Sequence, residues 1–266
     1  MPEPLAYVIT SGKGGVGKTT AVANLGCALA VAGLKVALVD ADIGLRNLDV
    51  AMGLENRVVY DLVDVVEGYC KLRQALIRDK RVDTLYLLPA AQTRDKTAVT
   101  PKQMADLIEE MKDEFDYILV DCPAGIEQGF RNAVAGADRA IIITTPEIAS
   151  VRDADRVIGL LEASGKQSPQ LVVNRVRARM VQRGDMMAVM DITDILSIEL
   201  LGVVPEDEQI IVSTNKGEPL ALRKVSRAGM AFQNIAQRIR GQKVPFIKLE
   251  EDDGFFARLR RAFGSR

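Results

Sequence analysis

The chain has 266 residues, 48% hydrophobic and 27% charged, with a net charge of −1. That balance is ordinary for a soluble globular fold, with enough length to bury a core without disulfide staples and no global pull toward nucleic acid. There is no histidine, which removes the commonest general base and metal ligand. The three cysteines, Cys27, Cys70 and Cys122, are too widely spaced for a Cys-x-x-Cys metal site or a paired disulfide framework. Chemistry therefore falls to carboxylates, lysines, backbone groups and a bound cation.

In chain order, no basic segment precedes an apolar run at the start, and no run approaches 18 apolar residues. A signal peptide or membrane span is therefore not expected, and the expected location is the cytosol. Residues 7–10 read as a short buried strand and residues 21–32 as a helix rich in Ala and Leu. Between them lies Gly12-Lys13-Gly14-Gly15-Val16-Gly17-Lys18-Thr19-Thr20. The pattern Gly, four residues, Gly-Lys-Thr between a strand and a helix is that of a phosphate-binding loop. Its glycines let backbone N–H groups curl inward, and the helix N-terminus adds partial positive charge. Lys18 is placed to reach the β- and γ-phosphates, and the Thr19 hydroxyl to ligate magnesium. Lys13 is a second lysine that a simple cradle does not need.

Residues 34–40 form a second expected strand, ending in Asp40, and Ala41-Asp42-Ile43-Gly44-Leu45-Arg46-Asn47-Leu48-Asp49 is polar and aperiodic. Ligands bind beyond the carboxyl ends of strands in an α/β sheet, so Asp40, Asp42 and Asn47 belong near the loop. An aspartate there is either a ligand or a helix cap. Residues 59–79 read as one or two amphipathic helices, and 85–89 as a third strand. Thr100-Pro101 supplies an N-cap and a first-turn proline to a helix that buries Met104, Leu107, Ile108 and Met111.

A fourth strand, 115–121, ends in Asp121, where a nucleoside-triphosphate site holds its magnesium directly or through water. The following Cys122-Pro123-Ala124-Gly125 is a tight turn able to sense a γ-phosphate. The Asp121 carboxylate discourages a Cys122 thiolate, so the cysteine reads as a small buried residue. The fifth strand is 140–145, followed by a helix at 149–163 whose Arg152, Asp153, Asp155 and Arg156 read as a solvated face. Strands at 171–174 and 200–204 end near Asn174 and Pro205. Asn174 could meet an adenine edge, and Pro205 a base face. Helices at 210–213 and 226–240 complete the body. Alternating strands and helices predict a mostly parallel, doubly wound α/β sheet over residues 1–240.

Residues 241–253 read as an acidic linker ending in Glu250-Glu251-Asp252-Asp253. The last segment, 254–266, carries four arginines and no acid, which leaves the rest of the chain at −1 less 4, or −5. As a helix it places Phe255, Phe256, Leu259 and Phe263 on one face, flanked by Arg258 and Arg261. It could dock on the core or bind nucleic acid, but basic, aromatic and amphipathic character fits a membrane surface best. Burying four apolar side chains yields roughly 6–12 kcal/mol gross, and attraction to anionic lipid adds about 1 kcal/mol per arginine. Ordering about ten residues costs about 10–20 kcal/mol, so one tail is near break-even and two held together gain by avidity.

The loop with both Lys13 and Lys18 resembles the deviant Walker A loop of the ParA/MinD ATPases. Residues 40–49 and 121–125 resemble that family's two switch segments, and the Phe/Arg tail resembles the membrane-targeting helix of its division-site branch. The resemblance implies a P-loop ATPase that dimerises with ATP and Mg²⁺ at the interface. It implies that Lys13 reaches the partner's phosphates and Lys18 its own, that Asp42 orients the attacking water, and that Thr19, Asp42 and Asp121 serve the magnesium. The loop from Gly14 to Thr20 would bind phosphate, and Asn174, Pro205 and Asp207 would surround the adenine. Implied partners are a MinC-like division inhibitor at the 152–156 helix, a MinE-like or other positional regulator, and an anionic membrane, with no nucleic acid. The rival readings are a DNA-partitioning ATPase, for which the acidic body lacks a basic surface, and a nucleotide-switched scaffold without turnover.

Overall fold

The computed structural model describes residues 3–95, 97–223 and 226–249. The amphipathic segment at 254–266 and the four acids before it lie outside the described residues. Among the described residues, eight strands form one sheet: β1 Leu5–Thr10, β2 Val36–Asp40, β3 Ile77–Arg78, β4 Leu85–Leu88, β5 Tyr117–Asp121, β6 Arg139–Thr144, β7 Gln170–Val176 and β8 Glu199–Pro205. Their order is β3-β4-β2-β5-β1-β6-β7-β8. Every pairing is parallel except that of β3 with β4. From β1 the chain winds first to one side, through β2 and β4, and then to the other through β6, β7 and β8. The end of β1 is thus the topological switch point, where open α/β sheets bind ligands.

The helices are α1 Lys18–Val31, α2 Leu48–Met52, α3 Leu62–Val66, α4 Leu72–Ala75, α5 Pro101–Lys112, α6 Gln128–Ala135, α7 Ile148–Ala163, α8 Ala178–Gln182, α9 Val189–Leu196, α10 Gln209–Asn215 and α11 Arg227–Ile239. Successive strand residues alternate between two cores. Ala6 and Val8 join Val39 and Ile118 under α5, α6 and α7, while Tyr7 and Ile9 join Leu38 and Leu119 under α1 and α11. That alternation is the period-two geometry of strands covered on both faces.

Local signals place the helices. Thr100 and Gln103 close a reciprocal capping box with Pro101 at the start of α5, and Ser226 accepts from Gly229 N–H to cap α11. The expected helical stretch at 59–79 resolves into α3, α4 and then β3, so its end is extended rather than helical. The described part of the 241–253 stretch runs along the body: Ile247 packs on one core, Leu249 on the other, and Phe246 lies 4.1 Å from the Arg238 guanidinium.

Candidate active site

The loop between β1 and α1 is fixed from several sides. Gly15 and Gly17 have φ values of 78° and 100°, in the left-handed region that favours glycine. A Cβ on Gly17 would also sit 2.5 Å from Asn174 Nδ2, and one on Gly12 would sit 2.3 Å from Cβ of Asp153 on α7. The loop is therefore wedged between β7 and α7. The Asn174 amide donates to the Val16 carbonyl at 2.8 Å and accepts from Arg175 N–H at 2.9 Å.

Helix α1 begins at Gly17 with no side-chain cap and no acid in its first turn. Its leading N–H groups are left for an anion, which the helix dipole favours. Lys18 is 8% exposed and donates through Nζ to Ser11 Oγ at 3.0 Å, and that hydroxyl donates to the Lys13 carbonyl at 2.7 Å. The cation thus lies inside the loop. Lys13 points elsewhere: its Nζ meets Glu147 Oε2, beyond the end of β6, at 2.9 Å. Gly14 lies across from Ala124, where an added Cβ would be 3.6 Å away, so the loop faces the turn after Asp121. Val16 is buried, and Thr19 and Thr20 are half-buried at the mouth.

Asp40 and Asp121 sit opposite each other at the ends of neighbouring parallel strands. Both are buried. Burial, reinforced by the Asp40 charge, pushes the Asp121 carboxyl up to about 8, against the opposing pull of a Thr19 hydrogen bond and the Lys18 charge. Burial also pushes Asp40 up to about 6, opposed by backbone N–H groups of Asp42 and Leu48, at 3.0 and 3.1 Å. Oδ1 of Asp121 is buried with no hydrogen-bond partner among the described residues. An orphaned carboxylate oxygen with a threonine hydroxyl against the same side chain, beside a phosphate loop, fits magnesium, which takes one or two protein oxygens and completes its shell from phosphate and water. Asp42 follows Asp40 at the half-exposed rim. Cys122 is buried, its thiol pushed up to about 12 chiefly by burial, so it is inert.

The three residues expected around a base occupy the ends of the adjacent strands β7 and β8. Asn174 is buried against the loop. Pro205 closes β8 and lines a cavity of about 430 Å³. Asp207 accepts from Gln209 N–H at 2.9 Å and from Ser226 Oγ at 2.6 Å, tying α10 to the cap of α11. On α7, Arg152, Asp155 and Arg156 are exposed as expected, while Asp153 is half-buried against the loop. The membrane-facing candidates Phe255, Phe256, Arg258, Leu259, Arg261 and Phe263 lie outside the described residues.

Sequence reasoning did not single out Ser11, Glu147 or the contact of Asp153 with Gly12. Glu147 follows the fifth strand on the same carboxyl edge as the loop, and that position is the signal that could have raised it. The Asp153 contact has no sequence signal.

Residues 7–220 match the family model described as the CobQ/CobB/MinD/ParA nucleotide binding domain. Septum site-determining protein MinD of Bacillus subtilis (strain 168) is 60% identical over 264 residues, covering 98% of each chain. Among solved structures, the MinC:MinD cell division protein complex of Aquifex aeolicus matches with a TM-score of 0.86 at 49% identity, covering 92% of this chain and 99% of that one. The septum site-determining protein MinD of Pyrococcus horikoshii OT3, complexed with Mg-ADP, matches with a TM-score of 0.81 at 32% identity over 89% and 96% of the two chains.

Proposed function

We propose, from the premise that this chain belongs to the MinD/ParA family of nucleotide-binding proteins, that it is a magnesium-dependent ATPase that dimerises on ATP. In this reading the dimer binds the inner face of the cell membrane through residues 254–266 and recruits a MinC-like inhibitor to position the division septum. Between membrane cycles it is cytoplasmic, and a MinE-like or other regulator sets where it accumulates. The inhibitor surface includes residues 152–156 of α7, a helix that already touches the phosphate loop at Gly12.

One observation carries the dimer: the two lysines of a single loop go to different places. Lys18 lies within the cradle on Ser11, and Lys13 lies outside it on Glu147. Only one is needed for the loop's own phosphates, which leaves the other to serve a neighbour's. Thr19, Asp121 and Asp42 would hold magnesium, which neutralises phosphate charge when bound. The chain itself supplies position and electrostatics. Loop N–H groups and Lys18 hold the phosphates, Asp42 orients the attacking water, and Lys13 stabilises charge across the interface as a finger supplied in trans.

The test is the mass of the protein in solution with ATP. The parent is expected to dimerise with ATP and stay monomeric with ADP, while Lys13→Ala stays monomeric in both with an unchanged melting temperature. A Lys13→Ala protein that dimerises with ATP overturns the assignment. Sedimentation with anionic vesicles tests the membrane part. The parent is expected to pellet with ATP but not ADP, and the chain truncated before Gly254 in neither.

A further inference from the structure

A cavity of about 640 Å³ opens at the amino ends of β7 and β8, the edge of the sheet away from the phosphate loop. Gln170 and Glu199, the first residues of those strands, line it together with the end of α11 and residues 241–246. Its charged centre is Arg238. Nε donates to the Val244 carbonyl at 3.1 Å and Nη1 to the Leu201 carbonyl at 3.0 Å, while the Phe246 ring lies 4.1 Å from the guanidinium. Each of these partners is neutral. Nη2 is buried with no hydrogen-bond partner among the described residues, and leaving a buried donor unpaired costs most when the group is charged. Burial alone holds the Arg238 pKa below its usual value, with no carboxylate close enough to oppose it.

Lys243, on the same wall, is exposed and in no ion pair among the described residues. The one acid in the lining, Glu199, accepts from the Gln170 amide at 2.7 Å and pairs with neither cation. Arginine clasps a carboxylate with two parallel N–H groups, but Arg238 has spent Nε and Nη1 on carbonyls. What is left is one guanidinium nitrogen and one ammonium, two separate positive points. A phosphate monoester carries a charge of about −1.5 to −2 at pH 7 and three acceptor oxygens, enough to meet both. The cavity is far larger than a bare phosphate, and Leu201, Val244, Pro245 and Phe246 give it apolar walls that suit an apolar ester group. Phe246 is 46% exposed, so the ring over the guanidinium can turn outward without opening a core.

We infer that this cavity is a binding site for a small phosphate monoester with an apolar body, held by Arg238 Nη2 and Lys243. The site lies apart from the phosphate loop, and its occupancy does not depend on the proposed ATPase cycle.

Phenyl phosphate is the probe, titrated into the full chain at constant ionic strength with Mg-ADP in excess to fill the phosphate loop. Calorimetry reads the dissociation constant, and arginine side-chain Nε–H spectra, assigned through Arg238→Gln, read contact with that residue. Millimolar or tighter binding is expected, with the Arg238 signal shifting along the same isotherm. Inorganic phosphate, which lacks the body, and phenol, which lacks the charge, should each bind at least tenfold more weakly, and benzoate more weakly as well. Arg238→Gln should weaken phenyl phosphate at least tenfold and Lys243→Glu about fivefold. Arg238 also fastens residues 241–246, so Lys243→Glu is the variant that separates binding from folding. Lys243 is exposed, and its melting curve should match that of the parent. No binding, phenol bound as well as phenyl phosphate, or an affinity unmoved by Lys243→Glu would overturn the site. Benzoate binding more tightly would overturn the choice of phosphate. Heat released while the Arg238 signal stays fixed would put the ligand elsewhere and overturn the site too.

Discussion

Two buried aspartates lie on opposite sides of a divide within one fold. Asp79, after β3, is 1% exposed and fully engaged: it accepts from Arg81 N–H at 2.7 Å, from Arg81 Nη2 at 2.6 Å and from Val82 N–H at 3.1 Å. The same guanidinium donates to the carbonyls of Met52 and Gly217, stitching β3 to α2 and to the end of α10. Burial acts to raise the Asp79 carboxyl, but hydrogen bonds and charge from Arg81 hold it below the usual range. Asp121 is buried just as deeply, faces another acid and keeps an oxygen with no partner, so burial pushes it up. A carboxylate satisfied by its own chain is structure. One left raised and incomplete at the switch point is a candidate ligand for a cation.

The divide breaks first at Arg81. Arg81→Met leaves Asp79 as an unpaired buried charge, which costs about 3–5 kcal/mol. A loss of about 10 °C in melting temperature is expected from the usual scaling for a chain of this size. A fall of only a degree or two would mean that the Asp79 cluster is no better satisfied than the acids at the loop.

The opposite sign is expected at Asp121. Its folded pKa lies above the unfolded 3.8, so the folded chain holds the proton more tightly and nucleotide-free stability falls as pH rises from about 4 to about 8. Each pH unit in that window costs at most about 1.4 kcal/mol. Asp79, lowered, gives stability that is present above 3.8 and lost only below it, so it adds no slope there. Asp121→Asn should therefore melt like the parent near pH 4 and increasingly above it as pH rises to 8, while losing stabilisation by magnesium and ATP. A variant that melts below the parent at pH 8 would place Asp121 with the structural acids.

These two acids also mark how far the sequence could be read. Asp121 was legible because it ends an apolar strand downstream of a phosphate loop, and both signals are local. Asp79 was not, since β3 has only two residues and its register with β4 depends on tertiary contacts. Helices α6 and α9 are short and lack side-chain caps, so neither a start signal nor long periodicity marks them. The partners of the loop come from 134 and 158 positions away, at Glu147 and Asn174. Sequence identified the loop and the strand-end acid beside it, while the bracing required the fold.

Asn174 sharpens the divide inside the site, because its amide is spent on the Val16 carbonyl. Removing a buried hydrogen-bond partner costs about 1–2 kcal/mol. If Asn174 acts as a brace, Asn174→Ala should weaken ATP and inorganic triphosphate alike, by about tenfold each. Weakening of ATP alone would make it a base contact instead.

The smallest effect concerns Lys13 and Glu147. Their side chains are 33% and 62% exposed, and ion pairs in such positions contribute about 0–1 kcal/mol. Glu147→Gln should therefore leave the nucleotide-free melting temperature within about 2 °C of the parent. Function magnifies the change if Lys13 serves the partner's phosphates, because each lysine must first leave its own glutamate. Removing about 0.5 kcal/mol of competition at each of the two lysines, about 1 kcal/mol per dimer, corresponds to about a fivefold lower protein concentration for ATP-dependent dimerisation. Sizing across a concentration series with ATP reads that shift directly. If Glu147→Gln dimerises no more readily than the parent, Glu147 is not the contact that holds Lys13 back. If it dimerises less readily, Glu147 belongs with Asp79, as an acid whose value lies in what it holds together.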